Sequence, residues 1–288
     1  MTGQATSNDA LLARLAKATG DLPAMPAVVE RVLRLSQDPD TNVEHLRSAI
    51  EIDPGLTSKL LRVANSAYYA RQRKITSLSQ AIVTLGFKTI LSLTMAGSSK
   101  TIFEQYSDVA RAVRTTLYDH SISTAFLTNS LIRLTPLKMD PEICFLGGLL
   151  HDIGKLVISR NFPMQFNKVR VANEEQGVDW LEAEMATLGF DHEQLGEHLA
   201  RQWNLPQQYE DLIRHHHTVA EAEVAQAEAA LVNLADHVAT YLGWNFPRPH
   251  LPPITESPVL GFLRVDPARL EQRLDEMREA VETIKALF

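Results

Sequence analysis

Residues 147–158, GGLLHDIGKLVI, place a histidine and an aspartate side by side inside an apolar run. The glycines on both sides leave little side-chain bulk within one helical turn of His151 and Asp152, so another group can approach the pair closely. A buried polar pair is costly unless it has a partner. We therefore predict that His151 and Asp152 are ligands of one metal ion.

Other polar residues can be sorted by the helix face they occupy. A polar side chain on the apolar stripe of a helix needs a buried partner, whereas one on the opposite face needs only water. We expect three side chains to point inward because of the stripes they share: His120 with Leu127 and Leu131, His192 with Leu195 and Leu199, and Asp236 with Val232, Ala235 and Ala239. His198 and His237 have polar neighbours three and four positions away, and we expect them to be solvated.

Three consecutive histidines, His215, His216 and His217, lie at the end of a predicted helix. Consecutive residues span a wide arc of a helix, so at most two of them can face one site. A solvated helix terminus is also consistent with the pattern, because the helix dipole favours cationic histidine there. Periodicity alone leaves both interpretations open.

Five separate helices therefore send histidine or aspartate inward. Converging side chains from facing helices are how helical bundles build metal sites. The mixed nitrogen and oxygen ligands suit iron, manganese, zinc or nickel rather than calcium or magnesium alone. We expect the site to hold one or two such ions.

Most of the chain has a helical period, and no strand-like alternation persists, so we predict an all-α fold. Only one of the ten histidines, His45, precedes residue 105. We therefore expect a helical subdomain over 1–105 and a histidine-bearing subdomain over 106–245. A proline-rich connection at the surface (245–258) and a closing amphipathic helix are expected to complete residues 246–288, packed on the same unit.

The composition limits the kinds of partner that the chain can have. A net charge of −7 and a pI near 5.8 argue against nucleic acid or an anionic membrane as the main partner. No apolar run approaches the roughly 18 residues of a membrane span, and no secretory signal is visible. The single cysteine, Cys144, cannot form an intramolecular disulfide. We expect a cytoplasmic protein.

The order His120, His151-Asp152, Asp236 resembles the metal-binding signature of the HD superfamily of phosphohydrolases. His192 and the pair His216-His217 resemble the additional ligands of its HD-GYP branch, which hydrolyses cyclic di-GMP at a centre of two or three metal ions. By this resemblance, we take His216 and His217 rather than His215 as site residues. The Gly-Tyr-Pro motif of that branch is absent from this sequence.

The chain is more similar to the HDOD domain, the HD-related output domain of bacterial signalling proteins, over about residues 20–245. The similarity is carried by LPAMPAVVERVLRLSQDPDTNVEHLRSAIEIDPGLTSKLLRVANSAYYA, ITSLSQAIVTLGFKTILSLTMA, FLGGLLHDIGKLVI, DHEQLGEHLARQWNLP and the histidine-rich helix end. It implies an N-terminal helical bundle packed against an HD-like helical bundle. Most HDOD domains are regulatory and many have lost HD ligands, whereas this sequence keeps them.

Two functions follow from the resemblance. The first is a regulatory protein that acts mainly through protein–protein interaction with signalling proteins, such as second-messenger enzymes or response regulators, and retains a metal. The alternative is a metal-dependent phosphohydrolase or phosphodiesterase acting on a nucleotide or cyclic dinucleotide. Lys155 would then contact phosphate or act as general acid beside Asp152, although a surface lysine fits the sequence as well. A pocket that binds a nucleotide without cleaving it is a third interpretation.

Overall fold

The structure of the protein is a computed structural model that describes residues 24–66, 68–69, 74–104, 110–248 and 250–288. These residues form α-helices, short 3₁₀ turns and loops, with no strand among them, which confirms the all-α prediction. No helix in the described ranges is long and apolar enough to cross a membrane. The described chain divides into two compact units, unit I (24–104 with 273–288) and unit II (110–272).

Unit I begins with five helices, three of which start at a capping side chain. They are α1 (Ala27–Gln37), α2 (Val43–Ile50), α3 (Pro54–Ala64), α4 (Leu78–Leu85) and α5 (Phe87–Glu104). The side chains of Asn42, Asp53 and Ser77 accept the first free backbone N–H groups of α2, α3 and α4. Helix α5 packs against α1, α3 and α4, so it forms the centre of this unit.

Unit II contains the helices that carry the predicted site. They are α6 (Arg111–Leu131), α7 (Pro141–Leu150), α8 (Ile153–Asn161), α9 (Pro163–Gln176), α10 (Trp180–Leu188), α11 (His192–Gln202), α12 (Gln207–His215), α13 (Gln226–Tyr241), α14 (Leu260–Leu263) and α15 (Pro267–Gln272). Helices α6, α7 and α13 pack on one another, and α8 packs on α11.

The last helix, α16 (Leu274–Lys285), returns to unit I. Its buried residues Leu274, Met277, Val281 and Ile284 follow the amphipathic spacing of a surface helix. Residues 250–272, by contrast, belong to unit II. The chain after Asn245 is therefore divided between the two units.

Candidate metal centre

Unit II brings six predicted site residues from five elements to one buried point. Their side chains are at most 5 % exposed, and each lies close to at least one other member. We call this set the His/Asp cluster: His120, His151, Asp152, His192, His216 and Asp236. The seventh predicted residue, His217, lies beside it, with its ring centroid 4.2 Å from that of His216.

Glycines permit this convergence. A Cβ on Gly154 would lie only 2.1 Å from the backbone carbonyl oxygen of His192, and one on Gly148 would lie 3.0 Å from the backbone of Ala125. Because these two residues have no side chain, the backbone of the α7–α8 junction can contact the backbones of α11 and α6 directly. The close approach carries His151 and Asp152 to the histidines of the neighbouring helices.

The first group of ligand atoms surrounds the Nε2 atom of His120. This nitrogen lies 3.2 Å from Nε2 of His151, 3.0 Å from Oδ1 of Asp236 and 3.5 Å from Oδ2 of Asp152. One atom from each of His120, His151 and Asp152 can meet at a common ion. Asp236 adds a carboxylate next to His120.

The second group shares Asp152 with the first. Its Oδ1 atom lies 3.3 Å from Nε2 of His192 and 3.6 Å from Nε2 of His216, and these two nitrogens are 3.4 Å apart. His217 completes this group. Asp152 therefore faces both groups, with Oδ2 toward one and Oδ1 toward the other.

Hydrogen bonds on the outer side of the rings fix the orientation of three histidines. His151 donates from Nδ1 to the carbonyl of Gly148 at 2.9 Å, and His216 donates from Nδ1 to the carbonyl of Ile213 at 2.9 Å. Nδ1 of His192 lies 2.7 Å from a carboxylate oxygen of Glu184. A proton held at Nδ1 leaves the lone pair of Nε2 free to face the cluster, as in metal-bound histidines.

Two buried glutamates support the second group, and our sequence analysis missed both. Glu184 accepts hydrogen bonds from Trp180 Nε1 and from the His192 backbone N–H. Glu193 accepts the backbone N–H of His217 at 2.7 Å. Burial raises the pKa of each carboxyl to about 8. Glu184 shares a stripe with Trp180, so the test applied to the histidines could have found it. Glu193 has Phe190 and Gly196 but also Glu197 at helical spacing, so the same test is ambiguous for it.

Burial and charge set the protonation of the cluster. Burial lowers the pKa of His120, His192 and His216, which favours their neutral forms. Burial alone would raise the pKa of Asp152, but the charges of His151 and Lys155 outweigh it and hold that pKa well below its usual value. Three neutral imidazoles and an ionised carboxylate are the forms that bind metal.

His151 differs from the other histidines of the cluster. Burial lowers its pKa, but the carboxylates of Asp152 and Asp236 outweigh that effect, and the pKa is raised. Ion binding at the first group therefore competes with protonation of His151, which makes the affinity for an ion depend on pH.

Lys155 is a buried member of the site and not a surface residue. Its side chain is 2 % exposed, and its ammonium lies 2.8 Å from each carboxylate oxygen of Asp152, with hydrogen-bond geometry satisfied at Oδ2. Its Nζ atom also lies 4.9 Å from the ring centroid of Trp180. The lysine thus balances part of the buried negative charge.

The residues fit a metal centre. Two nitrogens bound to one ion at about 2.1 Å lie about 3.0–3.4 Å apart in octahedral or tetrahedral geometry, and the paired Nε2 atoms here are 3.2 and 3.4 Å apart. Oδ1 of Asp152 and Nε2 of His217 are buried without a well-formed hydrogen bond within the described chain. Buried polar atoms normally have a partner; Lys155 lies 2.8 Å from Oδ1 of Asp152, and a cation would supply a partner to Nε2 of His217.

The structure corrects the sequence prediction for His237 and shows which of the three consecutive histidines face the cluster. His237, which we expected to be solvated, is 7 % exposed, and its Nε2 atom lies 2.8 Å from the carbonyl oxygen of Pro252. His215 is turned away from the cluster, with Nδ1 3.1 Å from the hydroxyl of Thr218. Of the three consecutive histidines, His216 and His217 are therefore the ones that face the site.

The proline-rich segment, predicted as a surface connection, supplies residues to the site. Asn245 Nδ2 lies 3.3 Å from His120 Nε2, and the ring of Phe246 stacks on Trp180 with centroids 6.1 Å apart. Arg248 Nη1 lies 3.7 Å from Asp236 Oδ2. Composition marked this segment as a loop but could not show which of its side chains point inward.

Comparison with known proteins shows the family. The HDOD domain model matches residues 22–219. A protein of uncharacterised function from Treponema pallidum (strain Nichols) is 24% identical over 289 residues, or 98% of this chain and 53% of that protein. The chain thus spans about half the length of the curated relative it matches.

Solved structures share the fold. An HDOD domain protein of unknown function from Geobacter sulfurreducens is 25% identical with a TM-score of 0.77, covering 95% of this chain and 99% of that one. A candidate signal transduction protein from Marinobacter aquaeolei VT8 is 23% identical (TM-score 0.75; 98% and 65% covered), and a candidate phosphohydrolase from Shewanella amazonensis SB2B is 23% identical (TM-score 0.73; 96% and 98% covered). The match of the HDOD model to residues 22–219 and the shared helical architecture lead to one conclusion: this chain belongs to the HDOD family.

Proposed function

We propose that the His/Asp cluster holds two divalent transition-metal ions that share Asp152, and that this centre hydrolyses a phosphoester. The observation that carries the proposal is the pair of ligand groups on either side of Asp152, together with the buried Nε2 of His217, which has no hydrogen-bond partner among the described residues. Nitrogen and oxygen donors in this mixture suit iron, manganese, zinc or nickel. A Shewanella protein of the same fold is named as a candidate phosphohydrolase, which agrees with this reaction class.

The chain's own residues prepare the site for this chemistry. Two bound ions would act as Lewis acids: they would lower the pKa of a water molecule to near 7 and offset the negative charge of phosphate oxygens. Glu184 and the carbonyls of Gly148 and Ile213 orient the imidazoles. Lys155 holds the Asp152 carboxylate through Nζ. Because all of these groups are buried, they need little rearrangement when a substrate arrives.

Metal content of selected variants tests the two-group arrangement. The chain is purified without a histidine tag or chelator, and bound metal is measured by elemental analysis. We expect two equivalents in the wild type, about one in His120→Gln or His192→Gln, and none in Asp152→Asn, because only Asp152 belongs to both groups. His198→Gln is the matched control and should keep both. Equal metal in all variants, or none in any, would contradict the proposal.

Activity is tested on the same samples with p-nitrophenyl phosphate and bis(p-nitrophenyl) phosphate. Hydrolysis should depend on added metal and fall to background in Asp152→Asn, with the fold retained by circular dichroism. A wild-type protein that holds two ions and hydrolyses neither these probes nor a panel of nucleotides would exclude the hydrolase function.

The second candidate is a signalling module that acts by binding second-messenger enzymes or response regulators, with the metal serving structure. Its support is the closure of the cluster: the six side chains are at most 5 % exposed, and the Lys155 ammonium is already engaged by Asp152. For this function, folded Asp152→Asn would still bind its partner as tightly as the wild type. Partner binding that needs both Asp152 and added metal would contradict a purely structural ion.

A further inference from the structure

A cavity of about 360 Å³ lies beside the His/Asp cluster. Asp236 and His217 form part of its wall, so a molecule in the cavity would lie next to the ligand groups. Pockets for small ligands are typically about 300–1,000 Å³, and this volume is near the lower limit. The cavity therefore suits a ligand about the size of one nucleotide.

Arg248 is the feature of this cavity that calls for a ligand. Its side chain is 12 % exposed, and Nη1 faces Asp236 at 3.7 Å. Nε and Nη2 are both buried, and neither has a hydrogen-bond partner among the described residues. In arginine these two atoms form one edge of the planar fork, and that edge matches two oxygens of a phosphate. Two buried donors without acceptors are costly, so an anion would stabilise them.

The guanidinium is held in place by its surroundings. Cζ of Arg248 lies 5.8 Å from the ring centroid of Trp180. That indole is itself fixed, since Nε1 donates to Glu184 at 2.9 Å and the ring stacks on Phe246. An arginine held over an immobilised ring loses less entropy when it binds an anion.

Apart from two carboxylates, Asp179 and Asp236, the other walls offer amide, imidazole and apolar side chains to the rest of a ligand. Arg248 is the sole arginine or lysine among the described residues that line the cavity. Asn233 and His250 offer polar atoms, and the ring of His250 lies where a side chain at Gly177 would be. One cation and a small volume favour one phosphate group over the two of a cyclic dinucleotide.

We propose that Arg248 binds the phosphate of a small phosphomonoester, of the size of a mononucleotide, in the cavity beside Asp236. The proposal rests on the proposed function and narrows its substrate class. Arg248 would grip the phosphate through Nε and Nη2, next to the ligand groups, and the polar walls would receive the remainder of the molecule.

Titration calorimetry on the full-length, chelator-treated chain tests this inference without relying on turnover. The probes are inorganic phosphate, adenosine 5′-monophosphate, cyclic di-GMP and succinate. We expect the mononucleotide to bind, and Arg248→Met to weaken it about 10- to 100-fold. Arg248→Lys keeps the charge but loses the fork, so it should recover only part of the affinity. Arg201→Met, at an exposed ion pair, is the matched control and should bind like the wild type.

Three results would overturn the inference: equal affinity in folded Arg248→Met and the wild type, succinate binding as tightly as the phosphate probes, or cyclic di-GMP binding more tightly than the mononucleotide. Metal content measured on the same preparations before chelator treatment separates this failure from failure of the proposed function. Two ions in the protein as purified, with Arg248-independent binding, would refute the inference alone. Arg248-dependent binding by a protein that held no ion as purified would refute the proposed hydrolase alone.

Discussion

Helix α5 of unit I and the His/Asp cluster of unit II bury polar groups in opposite ways. In α5 of unit I, Thr94 and Ser99 donate to the carbonyls of Ile90 and Ala96 in their own helix, each at 2.7 Å. In unit II, histidines and aspartates from several helices converge, and Nε2 of His217 is left without a partner among the described atoms. A polar group satisfied by its own helix belongs to a core, whereas convergence with unsatisfied atoms indicates a site for a ligand.

The largest expected effect comes from removing the shared carboxylate. In chelator-treated protein, Asp152→Ala should lower the free energy of unfolding by about 3–5 kcal/mol, because it leaves the Lys155 ammonium buried and unpaired. The added substitution Lys155→Met should recover at least half of that loss. Thermal and urea unfolding of the two single variants and the double variant measures the coupling. Additive losses would mean that the pair does not interact as its 2.8 Å separation implies.

A smaller loss of stability is expected when a glycine is replaced by alanine, and its size depends on whether the new Cβ meets backbone or side-chain atoms. A Cβ at Gly154 would meet the His192 carbonyl oxygen at 2.1 Å, whereas one at Gly97 of unit I would meet the end of the Leu56 side chain. We expect Gly154→Ala to cost about 3 kcal/mol of stability. Gly97→Ala should stay within about 1 kcal/mol of the wild type, because Leu56 can rotate and alanine favours the helix. Similar melting temperatures for both variants would contradict the contrast.

The smallest effect concerns two buried threonines. Thr94→Val removes a hydroxyl that is bonded to its own helix, and should cost about 1 kcal/mol or less. Thr124→Val in α6 removes a buried hydroxyl that has no partner among the described residues, and should stabilise the protein by roughly 1 kcal/mol. Urea unfolding of the two variants and the wild type gives the sign of each change in the free energy of unfolding. A loss at Thr124 would show that its hydroxyl is satisfied in solution.

The helical fold and much of the site could be predicted because both leave a periodic signal. His120, His192 and Asp236 stood on apolar stripes, and each lies in the cluster. Periodicity describes only the neighbours that a residue has on its own helix. The prediction that His237 is solvated was wrong because a later segment covers it and places the carbonyl of Pro252 beside its ring.

Loop residues left no comparable signal. Arg248 lies in an irregular proline-rich stretch, and its two free donors become visible only when the packing around Trp180 is known. Glu193, on α11, has Phe190 and Gly196 but also Glu197 at helical spacing, so its pattern was ambiguous, and only the structure shows that it accepts the His217 backbone N–H. Contacts between distant segments decide the environment of both residues, so sequence periodicity could not reveal them.

The position of Asp152 between two groups of histidines has an evolutionary consequence. Under the proposed arrangement, one substitution at this position removes ligands from both ions at once, whereas loss of any single histidine leaves one group whole. A metal-bearing enzyme and a metal-free signalling module would then be separated by a single mutational step. Descendants of such a chain could lose the chemistry abruptly while the surrounding helices, and any partner surface on them, continue to be selected.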